Sequence, residues 1–178
     1  MKYAAFLRGI NVGGKNKVGM ADLRKMAAGA GLDRPQTLLQ SGNLIFEGDE
    51  RSESKLETLL EERHIETFGF AVDYHVRSLD HLGRIVGQNP FAREAEDDPS
   101  HLVVAFFKSP LRAEACETLR TAIRGREVFH EAGREAYVVY PDGIGDSKLT
   151  NAMLDSKLGQ RGTARNWNTV LKLLALDD

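Results

Sequence analysis

The chain has 178 residues, enough for one large domain or two small ones, and 42% of them are hydrophobic and 28% charged. This composition excludes disordered, collagen-like and disulfide-stabilised proteins, because it supplies an ordinary core and a single cysteine. The longest apolar run, Leu102–Phe107, is far shorter than the roughly 20 residues of a membrane helix, and the apolar stretch Ala4–Leu7 before Arg8 is too short for a signal peptide. Because Cys116 has no disulfide partner within the chain, we expect a cytoplasmic protein that does not enter a membrane.

Charge is unevenly distributed along the chain, although the formal net charge is only −2. Residues 1–40 contain seven lysines or arginines and two aspartates, a net charge of +5, and residues 147–176 carry +4. Residues 47–66 carry −5. If the fold brings the basic ends together, they form one positive surface. The alternative is a mixed, solvated surface with no preferred partner.

The first half of the sequence predicts six elements in the order βαββαβ. They are expected at Lys2–Ile10, Met20–Ala30, Gln36–Gln40, Leu44–Glu47, Ser54–Phe68 and Val72–Arg77. The first strand is apolar without interruption until Arg8, as in a buried strand. Ser41-Gly42-Asn43 predicts a tight turn between two strands, and Ser54 with Glu57 predicts a capping box. This order is that of a ferredoxin-like unit.

The second half predicts a similar series of elements after a linker. Residues 89–100 contain two prolines around four acids and are typical of a linker, so we expect domains at 1–88 and 101–178. The later elements are expected at His101–Lys108, a helix starting at Ser109-Pro110, Glu127–Glu131, Glu135–Tyr140, Leu149–Leu158 and a last helix with Trp167 in its apolar stripe. The order βαββα plus a C-terminal helix predicts an α+β protein with duplicated ferredoxin-like halves.

The first glycine-rich loop, Gly9–Val18, joins a strand to a helix. It matches the start of a Walker phosphate-binding pattern, but Asn16 stands where Ser or Thr would hold magnesium, and Lys17-Val18-Gly19 delays the helix. An NTP-hydrolysing loop is therefore disfavoured. Backbone amides and nearby cations still predict an anion site, whereas the alternative is that the glycines serve only a tight turn. The predicted anion-binding residues here are Arg8, Asn11, Gly13, Gly14, Lys15 and Lys17.

Two later polar segments also lead into helices. In Pro141–Thr150, Ser147 or Asp146 is expected to cap a helix, and Lys148 lies near the positive helix end, where it either meets an anion or turns to solvent. In Thr163–Thr169, Arg165 offers a planar fork for phosphate or carboxylate. The remaining predicted anion-binding residues are Ser41, Asn43, Ser147, Lys148, Arg165, Asn166 and Asn168.

Other chemistry-bearing residues form no recognisable site in the sequence. The five histidines lack metal-ligand spacing, and no cofactor fingerprint is present, so we expect neither a metal nor a cofactor. Cys116 lies beside an apolar helical stripe, which is typical of a core residue.

Six segments together resemble a widespread bacterial family, the domain of unknown function family 1697. They are Leu7–Val18, Leu39–Asn43, Asn89–Phe91, Tyr140–Gly145, Ser147–Thr150 and Thr163–Thr169. The resemblance implies a cytoplasmic α+β protein built from ferredoxin-like halves, and it supplies no activity. Asp146 stands where a basic residue is usual in the family, which weakens the anion-site hypothesis at that loop.

Three functions remain open from the sequence. The leading hypothesis is an anion-binding protein in which Lys15, Ser41, Lys148 and Arg165 surround one concave site for a nucleotide or nucleic acid. The second is an enzyme acting on a phosphorylated metabolite, with Asp142 as acid–base and the cations holding phosphate. The third is a scaffold in which these segments only form turns and caps. Convergence of the loops around one site would favour the first two over the third.

Overall fold

The computed structural model describes residues 1–176, in which eight β-strands and seven α-helices form. The strands make two four-stranded antiparallel sheets, so the fold is mixed α+β with two similar halves. Residues 177–178, the end of the second expected domain, lie outside the described residues. Among the helices of residues 1–176, none combines the length and apolar character that crossing a bilayer requires.

The chain divides into two compact units. The first comprises Met1–Gly83 together with the segment that starts at Leu173, and the second comprises Arg84–Lys172. The first unit contains four strands and two complete helices, in the expected order βαββαβ. They are β1 (Lys2–Leu7), α1 (Met20–Gly29), β2 (Asp33–Leu38), β3 (Asn43–Glu47), α2 (Glu53–Phe68) and β4 (Tyr74–Ser78). The sheet order is β2-β3-β1-β4.

One face of the first sheet packs against α1 and α2. Tyr3, Ala5 and Leu7 point to this face, because side chains alternate along a strand. The same core cluster includes residues of the other strands and of both helices, among them Leu23, Leu44, Phe46, Leu56, Leu60 and Val76. Ala4 and Phe6, on the opposite face, are also fully buried. β1 is therefore covered on both faces, which explains its unbroken apolar run.

The start of α2 differs from the sequence prediction. The capping box expected from Ser54 and Glu57 is wrong, because Ser52 caps the helix with its hydroxyl, which accepts a hydrogen bond from the Lys55 N–H at 3.3 Å. Glu57 is buried against β4 and accepts a hydrogen bond from the Val76 N–H at 3.0 Å. Burial against the sheet, rather than capping, determines the position of this carboxylate.

The second unit repeats the arrangement of the first. The chain enters it within α3 (Leu79–Gly87) and leaves it after Lys172, within the last helix. The further elements are α4 (Ala92–Asp97), a 3-10 turn (Pro99–His101), β5 (Leu102–Phe106), α5 (Ala113–Ala122), β6 (Val128–Ala132), β7 (Glu135–Val139), α6 (Asn151–Leu158), β8 (Thr163–Asn166) and α7 (Trp167–Ala175). The sheet order β6-β7-β5-β8 corresponds strand for strand to that of the first sheet.

Residues 89–100, expected to form a linker, contain α4 and part of the 3-10 turn. None of the α4 residues is buried, as the acidic composition of this segment leads one to expect. The domain bounds 1–88, 89–100 and 101–178 stay a prediction.

The start of α5 also differs from the sequence prediction. The helix begins at Ala113, not at Ser109-Pro110. The Ser109 N–H donates to the Gln160 Oε1 atom at 3.2 Å, and the Leu111 N–H donates to a carbonyl of the β6–β7 turn at 2.9 Å. These tertiary hydrogen bonds use the backbone N–H groups of Ser109 and Leu111, and the helix starts after them.

β8 is a strand that the sequence did not reveal. Thr163–Asn166, expected to be a polar helix entry, pairs antiparallel with β5 and places Arg165 opposite Val104. The strand is short and lacks apolar alternation, so only its pairing with β5 identifies it. The second unit therefore has the order βαββαβ followed by α7, and the expected order βαββα is corrected.

Candidate functional site

The glycine-rich loop after β1 forms a small β-hairpin. The Asn11 N–H donates to the Asn16 carbonyl at 3.1 Å, and the Lys15 N–H donates to the Val12 carbonyl at 3.0 Å. The pair Gly13-Gly14 occupies the turn with φ angles of 58° and 75°, the left-handed values of a type I′ hairpin turn. The turn itself therefore accounts for both glycines.

The start of α1 excludes a nucleotide-hydrolysing P-loop. In a P-loop the helix begins at the lysine, whereas α1 begins at Met20, well after Lys15. Gly19 precedes the helix and provides no side-chain cap. The Asp22 carboxylate lies close by, with Oδ2 3.0 Å from the position that a Cβ on Gly19 would occupy. A negative charge thus already stands at the positive end of this helix.

Asn11 fixes the hairpin to its surroundings. Its side-chain amide donates to the Val18 carbonyl at 3.0 Å and to the Gln40 carbonyl at 2.8 Å, and its Oδ1 atom accepts from the Val18 N–H at 2.9 Å. Asn16 donates to the Gly9 carbonyl at 3.2 Å. The hydrogen bond to Gln40 thus joins the hairpin to the β2–β3 turn.

The β2–β3 turn is held against the same loop. A Cβ on Gly42, which has a φ of 92°, would lie 2.7 Å from the Ile10 Cδ1 atom, and the Gly42 carbonyl accepts from the Leu7 N–H at 3.0 Å. Asn43 is fully buried, and its amide donates to the Ser41 hydroxyl at 3.2 Å. The structure therefore brings the segments Leu7–Val18 and Leu39–Asn43 together and gives Asn43 a role in closing the turn.

A cleft of about 470 Å³ lies where the hairpin meets the β2–β3 turn. Its lining residues are Asn11, Gly14, Lys17, Val18, Gly19 and Gln40. Lys17 supplies the positive charge of this lining. Three other predicted anion-binding residues, close in sequence to these lining residues, are exposed: Gly13, Lys15 and Ser41. Arg8 is partly buried. We call this space the hairpin cleft.

The second glycine-rich loop has a different helix cap from the expected one. Thr150, not Ser147 or Asp146, caps α6, and its hydroxyl accepts from the Met153 N–H at 3.2 Å. Ser147 instead donates its hydroxyl proton to the Glu127 carboxylate at 2.6 Å. This hydroxyl is therefore committed to a neighbouring carboxylate, which competes with any anion.

Arg165 is buried, although its expected role requires contact with a ligand. It is only 7% exposed, and it donates to the Thr163 hydroxyl at 2.7 Å and to the Ala164 carbonyl at 2.9 Å. Burial lowers the pKa of Arg165 to about 10. Lys148 is exposed. Because β8 was not recognised in the sequence, the burial of its third residue could not be foreseen.

Asn166 and Asn168 lie at the start of α7. The Asn166 Oδ1 atom accepts from the Asn168 N–H at 2.9 Å, and the Asn166 amide donates to the Ser100 carbonyl at 2.8 Å. The first contact is that of a turn at the start of the helix, and the second is a tertiary contact with the 3-10 turn Pro99–His101. The Asn168 side chain is exposed.

Asp142, the expected acid–base, forms an ion pair at the surface. Arg126 donates two hydrogen bonds to its carboxylate, one of them from Nε at 3.0 Å, and these bonds hold the pKa of Asp142 below its usual value. A carboxylate held ionised is a poor proton donor at neutral pH. A nearby pair that the sequence analysis missed joins the His101 Nδ1 atom to the Asp98 carboxylate at 2.7 Å. Within residues 1–176 no cluster of His, Cys, Asp and Glu suits a metal ion.

The expected site joins residues from both units. Lys15 and Ser41 belong to the first unit, and Lys148 and Arg165 belong to the second. Their convergence around one concave site stays a prediction.

Comparison with known proteins identifies the family. The family model described as protein of unknown function (DUF1697) matches residues 1–137. The chain belongs to this family. A conserved bacterial protein from Streptococcus pneumoniae has a similar solved structure, with a TM-score of 0.78 and 23% sequence identity over 99% of this chain and 98% of the other. None of the curated protein sequences matches the chain.

The part of this DUF1697 chain that the family model matches contains the whole hairpin cleft. It ends before the second glycine-rich loop and before β8. The similar solved structure extends the common fold over both units, because it covers almost the entire chain.

Proposed function

We propose that this protein binds a phosphate-bearing ligand, such as a nucleotide or a nucleic-acid segment, in the hairpin cleft. The observation that supports this most directly is the meeting of two separate motifs around a cleft with a lysine in its lining. Its volume, about 470 Å³, lies within the range of small-molecule sites. Lys17 would hold the anionic group, and Lys15, exposed on the hairpin, would add to the positive potential.

The rigidity of the hairpin supports binding because an ordered loop loses little conformational entropy when a ligand arrives. The type I′ turn and the Asn11 hydrogen bonds to Val18 and Gln40 fix both walls of the cleft. The Asp22 carboxylate opposes an anion at the start of α1. We therefore place the anion on the Lys17 side of the cleft, away from Asp22.

Two broader expectations are part of the same proposal. Each unit is proposed to be a ferredoxin-like domain, supported by the order βαββαβ and by the matching strand orders of the two sheets. The protein is proposed to act in the cytoplasm, supported by its single, fully buried cysteine, Cys116.

Calorimetric titration tests the proposal. The titrants are inorganic phosphate, AMP and a short single-stranded oligonucleotide, and the proteins are the wild type, Lys17→Gln and Lys25→Gln. A charge-assisted hydrogen bond contributes roughly 1.5–3 kcal/mol, so Lys17→Gln should weaken binding at least tenfold. Lys25 is exposed on α1 and does not line the cleft, so its variant is the matched control for lost charge.

The titrations also separate the alternatives. Equal losses in Lys17→Gln and Lys25→Gln would mean that general positive charge, and not the cleft, attracts the anion. If the wild type binds none of the titrants, ligand binding in the cleft is excluded and the scaffold function remains. A steep decrease of affinity with salt would indicate a nucleic acid that contacts several cations, and a shallow one a mononucleotide.

A further inference from the structure

The outer edge of the first sheet at β4 is occupied by glutamates of α2. Every second N–H group along this edge donates to a carboxylate, at 3.5, 3.0 and 2.9 Å for the pairs Tyr74–Glu61, Val76–Glu57 and Ser78–Glu53. The glutamates are four residues apart on a helix, a spacing of about 6 Å that matches two residues of a strand. Side chains of α2 thus take the place of a further strand, and this edge is closed to pairing.

The edges at β2 and β8 are also unsuited to pairing with another strand. β2 contains Pro35, which has no N–H, and its register with β3 is interrupted. At β8, the Ala164 carbonyl accepts from the Arg165 guanidinium at 2.9 Å, and the Gly162 N–H just before the strand donates to the Asp155 carboxylate at 3.0 Å. Three of the four sheet edges therefore carry features that oppose strand addition.

The fourth edge, at β6, has backbone groups that point outward. The Phe107 N–H donates to the Arg134 carbonyl at 2.9 Å, so Glu135, the next residue of β7, turns its backbone groups towards β6. Because these groups alternate in direction along a strand, the N–H and C=O groups of Phe129 and Glu131 point away from β7. Within residues 1–176 these outward groups form no hydrogen bond, and β6 has neither a proline nor a register shift. This edge is open.

The side chains of β6 suit a second copy of the same edge. On one face of the sheet, Val128 and His130 are exposed. On the other face, Arg120 forms an ion pair with Glu131, and its guanidinium lies 5.6 Å from the centroid of the Phe129 ring. A two-fold axis at His130 would set Glu131 of each copy opposite Phe129 of the other, and so beside a second Arg120 guanidinium. The charges are therefore complementary in this arrangement, and part of Val128 would leave water.

We propose that the β6 edge is a self-association surface, at which a second copy of this chain adds its own β6 antiparallel and joins the two sheets into one. Phe129 and Glu131 would exchange backbone hydrogen bonds across the axis, because both present their N–H and C=O groups outward. A single strand pairing buries less than the roughly 1,200–2,000 Å² of a stable interface, so the dimer is weak and depends on concentration. The proposal is independent of ligand binding in the hairpin cleft.

Sedimentation equilibrium of the full chain at roughly 10 to 500 µM tests this surface. The wild type should change from monomer to dimer over this range. His130→Lys and His130→Glu each place like charges opposite one another at the axis and should weaken dimerisation at least about tenfold. An equimolar mixture of the two variants should restore it, because opposite charges then face each other. Ile65→Lys and Ile65→Glu are the matched controls, since Ile65 is exposed on α2, and they should dimerise as the wild type does.

A second pair of variants separates backbone pairing from side-chain contacts. Glu131→Pro and Glu131→Ala both remove the carboxylate, but only proline also removes the outward N–H. Neither variant removes a hydrogen bond between β6 and β7, because this N–H points away from β7. Glu131→Pro should therefore dimerise more weakly than Glu131→Ala, and equal losses would refute strand pairing.

Other outcomes would also overturn the proposal. A wild type that stays monomeric throughout excludes a second copy and leaves the open edge to a strand of another protein. If that monomer shields the Phe129 and Glu131 amides from hydrogen exchange, part of the chain itself covers the edge. Dimerisation that both His130 variants retain would assign it to another surface. Loss of dimerisation in both variants without recovery in their mixture would exclude a two-fold axis at His130.

Discussion

Lowering the pH from 7 to 4 should destabilise the protein through one buried histidine, His64. The ring is fully buried in the first unit, with ring centroids 4.6 Å from Phe68, 5.1 Å from Phe70 and 5.5 Å from Tyr74. Its Nδ1 atom lies 2.7 Å from the Tyr74 hydroxyl. Burial lowers the pKa of His64 from its usual 6.5 to about 4, because the apolar surroundings disfavour the charged ring.

The direction of the effect follows from which state binds the proton more tightly. The unfolded chain protonates His64 near pH 6.5 and the folded protein only near pH 4, so stability is complete above pH 6.5 and decreases as the pH falls between these values. This difference of pKa corresponds to a loss of about 3 kcal/mol in the free energy of unfolding by pH 4. Below that pH, His64 causes no further loss.

Urea unfolding of the wild type and His64→Phe between pH 7 and pH 4 measures the effect. At pH 7 the variant should be less stable by about 1–2 kcal/mol, because the Tyr74 hydroxyl loses its partner, and adding Tyr74→Phe should recover part of this loss. Between pH 6.5 and 4 the variant should lose about 3 kcal/mol less than the wild type. Carboxylates titrate alike in both proteins, so parallel pH curves would refute the reasoning.

Two further substitutions test packing in the first unit. Gly42→Ala should cost at least about 2 kcal/mol of stability, because its Cβ would lie 2.7 Å from a side chain and its φ is 92°. Gly29→Ala is the control, and it should be neutral or stabilising because Gly29 lies in open space on α1. Thermal unfolding compares the two variants. Glu57→Gln should lower the free energy of unfolding in urea by about 3 kcal/mol, because it weakens a buried ion pair in which the Arg77 Nη1 atom lies 3.7 Å from the Glu57 Oε1 atom. Glu66→Gln is the control at an exposed ion pair, and it should change stability by less than about 0.5 kcal/mol. Equal effects in a variant and its control would contradict either argument.

Elements with a strong local signal could be predicted from the sequence. The apolar run of β1 indicated a buried strand, and Ser41-Gly42-Asn43 marked a turn that joins neighbouring strands. Trp167 and Cys116 were interpreted as core residues, and both are buried. In each case the residues adjacent in the chain decide the structure, so the pattern is sufficient.

Features that depend on contacts between distant residues could not be predicted in this way. β8 exists because it pairs with β5, and the resulting alternation buries Arg165, which the sequence presents as a free cation. The motif around Asn11 suggested ligand binding, whereas the side chain joins the hairpin to Gln40. The left-handed backbone conformation of Leu39, with a φ of 61°, is also invisible in the sequence, since a leucine after a strand gives no sign of its φ angle.

The most direct test of the hairpin cleft is amide chemical-shift mapping during titration of the isotope-labelled protein with AMP. The account predicts saturable shifts concentrated in residues 11–19 and 39–42, and predicts that Lys17→Gln abolishes them while Lys25→Gln does not. Shifts centred on Lys148 or β8, or none in residues 11–19, would contradict the claim that this cleft is the binding site.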